Sequence, residues 1–137
     1  MKFEDSKYFK ELKHFKLEMP FGNYYLFEHF FVSELNEGVH FDWEKVKLVA
    51  KELIAFYGEN PRLVFIANRV NGYSVEPQNW IRVEKEYNIM FASAIVVYNT
   101  PSYLNASLEK HFSKNSIKRC RSIKEAIDWS NNLKEFD

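Results

Sequence analysis

At 137 residues the chain is long enough for one domain with a hydrophobic core and too short for two. Hydrophobic residues make up 46% of it and aromatic residues 18%, a composition that excludes a disordered protein. Lys and Arg total 19, as do Asp and Glu, so the long-range field that draws a protein to nucleic acid or to an anionic membrane is missing, and we expect no nucleic-acid partner.

The sequence contains one cysteine, Cys120, which cannot form an internal disulfide or a cysteine metal cage. Alternation along a strand would turn this thiol inward, where we expect it to be buried and inert. The N-terminus lacks the apolar run of a signal peptide, and no segment is apolar for long enough to cross a bilayer. These features predict a cytoplasmic protein without stable membrane insertion.

The first half of the chain begins with strands. Residues 1–13 mix charged and apolar side chains, so a short helix and a loose N-terminal extension both stay open. Aromatic and β-branched residues between Phe15 and Leu35 predict three strands, the first two joined as a hairpin at Pro20 and Gly22. Six aromatic residues of this segment cannot all face one way, so core filling and a homodimer seam are both compatible with them: Phe15, Tyr24, Tyr25, Phe27, Phe30 and Phe31.

Helices and strands then alternate. Asp42 and Gly58 are suited to begin and end a first helix, and the unbroken apolar run Leu63–Ala67 is typical of a central buried strand. After a polar loop, the sequence predicts in order a helix beginning at Pro77, a buried strand over Ile89–Tyr98, a helix capped at Thr100–Pro101, an edge strand over Ile117–Cys120, and a helix from Ser122 to Leu133.

This order predicts an α/β fold, with a mixed sheet of five to six strands and about four helices in the sequence βββαβαβαβα. No linker or repeat divides the chain, so residues 1–137 are expected to form a single domain, with residues 1–13 as a candidate N-terminal extension.

Four segments carry a family resemblance: FVSELNEGVHFD, IANRVNGYSVEP, AIVVYNTPS and SIKEAIDW. They resemble small bacterial proteins of the SpoIIAA-like, or STAS/SEC14-like, kind that are frequent in Bacteroidetes, and the similarity runs from about Tyr24 to Leu133. The resemblance implies a single STAS-like domain with a small mixed sheet flanked by helices. Related anti-sigma-factor antagonists carry an aspartate and a serine pair before a helix, whereas Gly72 and Tyr73 precede Ser74 here, so a phosphorylation switch is not implied.

Ligands of open α/β sheets usually bind where the carboxyl ends of the strands meet. Three segments should converge there, Glu34–Gly38, Asn68–Ser74 and Tyr98–Thr100, and we call them the strand-end rim. Hydrogen-bonding side chains and one guanidinium in these loops could bind a protein partner, a carboxylate or another small anion. The candidate binding residues are Asn68, Arg69, Asn71, Tyr73, Ser74, Tyr98, Asn99 and Thr100.

A structural interpretation of the same residues is also open, and we weigh it at roughly two to one over a ligand site. Asn, Ser and Thr in such loops often satisfy backbone groups or cap helices. Arg69 fits this interpretation least well, although it could pair with Glu34 or Glu37.

Catalytic and metal sites have no positive support. The four histidines are scattered without a metal-binding spacing, and no nucleophile elbow, phosphate loop or dinucleotide motif occurs. We therefore predict no enzyme, no cofactor and no metal. A small enzyme using His40, Glu37 and Ser74 is an alternative that needs these side chains within hydrogen-bond reach of one another.

The function favoured at this stage is a non-enzymatic, regulatory STAS-like module that binds a protein partner or a small anionic ligand at the strand-end rim. The alternative is a SEC14-type carrier of a lipid or another apolar ligand.

Overall fold

The structure is a computed structural model that describes residues 1–133. Within this range eight strands form two sheets: β1 (Phe15–Met19), β2 (Gly22–Leu26), β3 (Phe30–Leu35), β4 (His40–Phe41), β5 (Leu63–Asn68), β6 (Ser74–Val75), β7 (Met90–Val96) and β8 (Ser116–Cys120). The main sheet has the order β1-β2-β3-β5-β7-β8, and β4 pairs with β6 in a separate two-stranded sheet.

The same residues contain a 3-10 turn at Phe3–Asp5 and five α-helices: α1 (Lys7–Glu11), α2 (Trp43–Tyr57), α3 (Asn79–Glu86), α4 (Thr100–Lys110) and α5 (Ile123–Asn131). Without α1 and the small sheet, the order is the predicted βββαβαβαβα, which confirms the α/β fold class with a mixed sheet. Residues 134–137, the end of the predicted domain range, lie outside the described part of the chain.

The main sheet is mixed: its first three strands pair antiparallel and the remaining neighbours pair parallel. Strands β1, β2 and β3 are antiparallel neighbours, whereas β3, β5, β7 and β8 run parallel. The prediction that the runs Leu63–Ala67 and Ile89–Val97 lie side by side is confirmed, since β5 and β7 pair from Leu63↔Met90 to Asn68↔Val96. The loops that follow these two strands therefore leave the sheet at the same edge.

Each face of the main sheet carries its own core. One face packs against α5 and the N-terminal segment, and Phe3 is completely buried there beside Tyr25 and Phe27. The other face packs against α2 on the β2–β3 side, while the buried residues of α3 and α4 lie over β7 and β8. Five of the six aromatic residues noted in the first strands are buried, and Phe15 is 50% exposed.

Local sequence signals explain most of the helix ends. The carboxylate of Asp42 accepts a hydrogen bond from the Lys45 N–H, and the hydroxyl of Ser122 accepts one from the Glu125 N–H, as N-caps do. Asn99, and not Thr100, caps α4, since its side-chain oxygen accepts from the Ser102 N–H at 2.8 Å. Helix α3 begins two residues after Pro77, because the peptides of Asn79 and Trp80 donate to carbonyls three residues back in a tight turn.

Cys120 lies at the end of β8 with no exposed surface, as predicted. Burial raises the pKa of its thiol to about 12, so the thiolate is strongly disfavoured at neutral pH. Among the helices of residues 1–133, none combines the length and the apolar character that a membrane crossing requires.

Candidate functional site

At the strand-end rim, polar side chains form hydrogen bonds with the N-terminal residues and with one another. Asn68 ends β5 and is 1% exposed; its amide donates to a Glu34 carboxylate oxygen at 2.8 Å and to the Met1 carbonyl at 3.0 Å. Its side-chain oxygen accepts from the Tyr98 hydroxyl at 2.5 Å, and the same Glu34 oxygen accepts from the Phe3 N–H at 2.7 Å. The amide of Asn68 is therefore fully used inside the protein.

Two other candidate residues of the rim also serve the fold. The Asn71 amide donates to the Leu35 carbonyl at 3.0 Å, and Asn99 is the cap of α4. Thr100 is exposed as the first residue of α4. The structure thus brings Asn68 and Tyr98 together, and it gives each of these asparagines an internal partner.

Arg69 forms a buried ion pair with Glu109 of α4. Its two terminal guanidinium nitrogens contact the two carboxylate oxygens, one of them at 2.6 Å, and the side chains are 10% and 2% exposed. The Trp80 indole N–H donates to the same carboxylate at 2.9 Å, and the Tyr73 ring centre lies 5.4 Å from the guanidinium carbon. Arg69 pairs with Glu109 and with neither Glu34 nor Glu37, the partners considered from the sequence.

This environment keeps Arg69 charged. Burial on its own would lower the pKa of Arg69, but the interactions with Tyr73 and Glu109 outweigh it, and the pKa is raised. The pair has no net charge, because the buried guanidinium is matched by the buried Glu109 carboxylate.

A cleft of about 100 Å³, partly open to solvent, lies on the same face of the sheet, and we call it the α2–α3 cavity. Apolar side chains of both helices and of the sheet form most of its wall, among them Ala50, Phe65 and Val83. Arg69, Glu109 and Asn79 are the polar and charged residues of the same wall that the buried ion pair and α3 bring there, together with Glu76. The Arg69 Nε and the Asn79 amide nitrogen are both buried and make no hydrogen bond of normal geometry, while the Tyr73 side chain lies against the same guanidinium.

No pattern in the sequence predicts this cavity. Nothing in the pattern Leu108-Glu109-Lys110 distinguishes a buried carboxylate from a solvated one. Arg69 is the one signal in the sequence for a special environment, because turn geometry does not require an arginine there.

A second polar cluster lies on the small sheet formed by β4 and β6. His40 and Ser74 are partners in its parallel register, and the Ser74 hydroxyl oxygen lies 2.7 Å from His40 Nδ1. Glu76 lies on the other side of the ring, with a carboxylate oxygen 3.5 Å from His40 Nε2. Glu37, the carboxylate considered with these residues from the sequence, instead accepts from the Gly72 N–H at 2.7 Å.

No family model and no curated protein matches the chain. A solved structure is similar to it, that of an uncharacterized protein of the DUF3478 family with a SpoIIAA-like fold from Shewanella loihica PV-4. The alignment covers 85% of this chain and 91% of that chain, with a TM-score of 0.52 and 12% sequence identity. The chain therefore has a SpoIIAA-like fold, as the resemblance implied, while a relation to Bacteroidetes proteins stays a prediction.

Proposed function

We propose that this protein binds a small, neutral, apolar molecule that carries one hydrogen-bond acceptor, and that this molecule occupies the α2–α3 cavity. The proposal rests on two buried donors that make no hydrogen bond, Arg69 Nε and the Asn79 amide nitrogen, which belong to residues that line a largely apolar cavity. A buried donor without a partner costs about 1–3 kcal/mol, so a ligand that supplies an acceptor relieves that cost.

The size of the cavity supports a ligand with a single ring or a short chain. An engineered apolar cavity of roughly 150 Å³ in another protein binds benzene, and the α2–α3 cavity, at about 100 Å³, is somewhat smaller and partly open. Pockets for drug-sized ligands range over about 300–1,000 Å³. A complete lipid is therefore a poorer fit than a small aromatic ketone, ester or ether.

The charges around the cavity support a neutral ligand. Arg69 is already matched by Glu109, so a carboxylate bound here would be a buried charge without a counterion. A carbonyl or ether oxygen accepts a hydrogen bond without that penalty. This distinguishes the proposal from the small anionic ligand favoured by the sequence.

Regulatory binding of a protein partner at the strand-end rim, a homodimer and a cytoplasmic location all stay predictions. The rim is the weaker candidate for a ligand, because its asparagines already have partners within the chain. We therefore favour the alternative of an apolar ligand, and we propose a small molecule in place of a lipid.

Three compounds of similar size test the proposal: acetophenone, ethylbenzene and benzoate. We expect acetophenone to bind about three- to tenfold more tightly than ethylbenzene, the value of one neutral hydrogen bond, and benzoate to bind most weakly. Titrations followed by NMR of the isotope-labelled protein would measure both the affinity and the place of binding, which should be the residues of α2 and α3. No binding of any of the three at these helices would overturn the proposal.

Two matched variants locate the ligand. Ala50→Leu fills the cavity and should abolish acetophenone binding, whereas Ala55→Leu makes the same change at an exposed position of the same helix and should leave it intact. Equal binding by both variants would place the ligand elsewhere.

A further inference from the structure

The small sheet holds three side chains in the order that activates a serine. Strands β4 and β6 are parallel, with His40 opposite Ser74 and Phe41 opposite Val75. The Ser74 oxygen is 2.7 Å from His40 Nδ1, and the Glu76 carboxylate is 3.5 Å from His40 Nε2. One imidazole therefore lies between a hydroxyl and a carboxylate.

The carboxylate favours one direction for the hydrogen bond between His40 and Ser74. A proton on His40 Nε2 is favoured because it faces the negative charge of Glu76, and this leaves the Nδ1 lone pair free to accept. The Ser74 O–H then donates to Nδ1. A nucleophile, a base and a group that orients the base stand in that order in serine hydrolases, although the ring nitrogens are used in the opposite sense here.

The surroundings make the serine accessible to a reactant. Ser74 is exposed, and the side chains of His40 and Glu76 are 55% and 35% exposed. Val75 and Glu76, which follow Ser74 directly, contribute to the wall of the α2–α3 cavity.

A cross-strand polar pair that only stabilises the small sheet is the alternative. It explains why His40 and Ser74 face each other, and Glu76, which also accepts from the Gln78 side chain at 3.2 Å, would add only a surface ion pair to it. It also predicts that Ser74 reacts no faster than other exposed serines. The two explanations therefore differ in reactivity.

We propose that Ser74 is a nucleophile that accepts an acyl group from small neutral esters, with His40 as its base and Glu76 as the positioning residue. The Ser74 oxygen attacks the ester carbonyl carbon and its proton passes to His40 Nδ1. The carbon–oxygen bond to the leaving alcohol breaks, and that alcohol takes the proton from His40. Water then releases the acyl group as a carboxylic acid by the same route. This proposal does not depend on the ligand proposed for the cavity.

An alkyl fluorophosphonate is a suitable probe, because it reacts with activated serines. The Ser74 oxygen forms a bond to phosphorus, fluoride leaves, and the serine proton passes through His40 to water. We expect peptide mass mapping to find one phosphonyl group per chain, at Ser74. We also expect p-nitrophenyl acetate to release p-nitrophenol and to acetylate the same residue.

Variants separate chemistry from folding. His40→Asn should slow labelling of Ser74 at least about tenfold, which is modest for a general base because the site is wet, and Glu76→Gln should slow it less. His29→Asn is the matched control, since His29 is an exposed histidine 3.6 Å from the Glu28 carboxylate, and it should label like the wild type. All three substitutions are outside the buried core, and NMR spectra would verify the fold.

Labelling at Ser74 that is no faster than at the exposed Ser116, or that is unchanged in His40→Asn, would overturn the proposal. Either outcome would leave the cavity ligand untouched, because acetophenone binding is measured without this reaction. Conversely, loss of acetophenone binding would not affect labelling at Ser74.

Discussion

The strand-end rim and the α2–α3 cavity both contain buried polar groups. These groups differ in whether they have hydrogen-bond partners. At the rim, Asn68 has every amide hydrogen paired, with Met1 and Glu34. In the cavity wall, Arg69 Nε and the Asn79 amide nitrogen are buried with no partner. The asparagines of the rim are paired within the protein, whereas the cavity wall, which Arg69 of the rim also helps to form, has donors without an acceptor.

Polar residues at a favourable place in the fold therefore do not by themselves indicate a ligand site. Asparagines at the ends of β5 and before α4 are there to bind backbone and neighbouring side chains. A binding site is better indicated by buried groups whose hydrogen bonds are missing, since native proteins satisfy nearly all of them.

The largest expected effect comes from the buried charge behind the cavity. Glu109→Gln leaves Arg69 as a buried cation without a counterion and should lower the free energy of unfolding by about 3 kcal/mol. Urea denaturation measures this. Glu86→Gln is the control, because its partner Arg82 is exposed and the pair is 3.4 Å apart, so the loss should stay below about 0.5 kcal/mol. A loss below about 1 kcal/mol for Glu109→Gln would mean that Arg69 is hydrated.

A smaller effect on the free energy of unfolding is expected when Asn is replaced by Leu at the rim and in the cavity wall, and the two substitutions should have opposite signs. Asn68→Leu removes three internal hydrogen bonds and should lower the free energy of unfolding by about 2 kcal/mol. Asn79→Leu removes a buried donor that has no partner and should raise it by about 1 kcal/mol. Urea denaturation of both variants gives the two signs.

The ligand titration completes this test. Asn79→Leu should also lose the preference for acetophenone over ethylbenzene, while Asn68→Leu should keep it. Destabilisation of similar size in both variants would show that Asn79 is satisfied in solution, and the contrast between the two places would disappear.

The smallest effect is a pH dependence at the rim. Burial, together with the negative charge of Glu34, raises the pKa of Tyr98 from 10.0 to about 12, so the unfolded chain loses this proton before the folded protein does. The contribution of Tyr98 to the free energy of unfolding is fully present below pH 10 and is lost as the pH rises towards 12. Because Tyr98 is 39% exposed, solvent screening reduces its size.

Tyr98→Phe should therefore lose less stability than the wild type between pH 10 and pH 12, as measured by urea denaturation at a series of pH values. The difference between the two proteins cancels the titration of their common lysines. Parallel curves for the two proteins would argue against the burial of this hydroxyl in the rim.

Much of the fold could be predicted because its signals are local. Asp42 and Gly58 bound α2 as expected, and the apolar run at Leu63–Ala67 is the buried strand β5 between β3 and β7. A cap needs only neighbours within one turn, and a buried strand shows in its own composition. These elements can therefore be predicted from a short stretch of sequence alone.

The candidate sites could be predicted only in part, because they depend on distant pairings. Arg69 meets Glu109 across 40 residues, and β4 and β6 are two residues long and too short for any periodicity. Ser74 and His40 were each noted in the sequence, but their contact exists only through this strand pair. Nothing in a local window specifies which carboxylate an arginine finds.

The N-terminal strap across the rim has a consequence for how the protein is made. Met1 and Phe3 bind through their backbone to Glu34, Asn68 and Tyr98, and the Phe3 ring fills the core. Contacts of such long sequence separation form late, since the chain between them must first be ordered. During synthesis on the ribosome, the contact between Met1 and Tyr98 cannot form until residue 98 has emerged, so the first residues stay incompletely docked and accessible to chaperones until then.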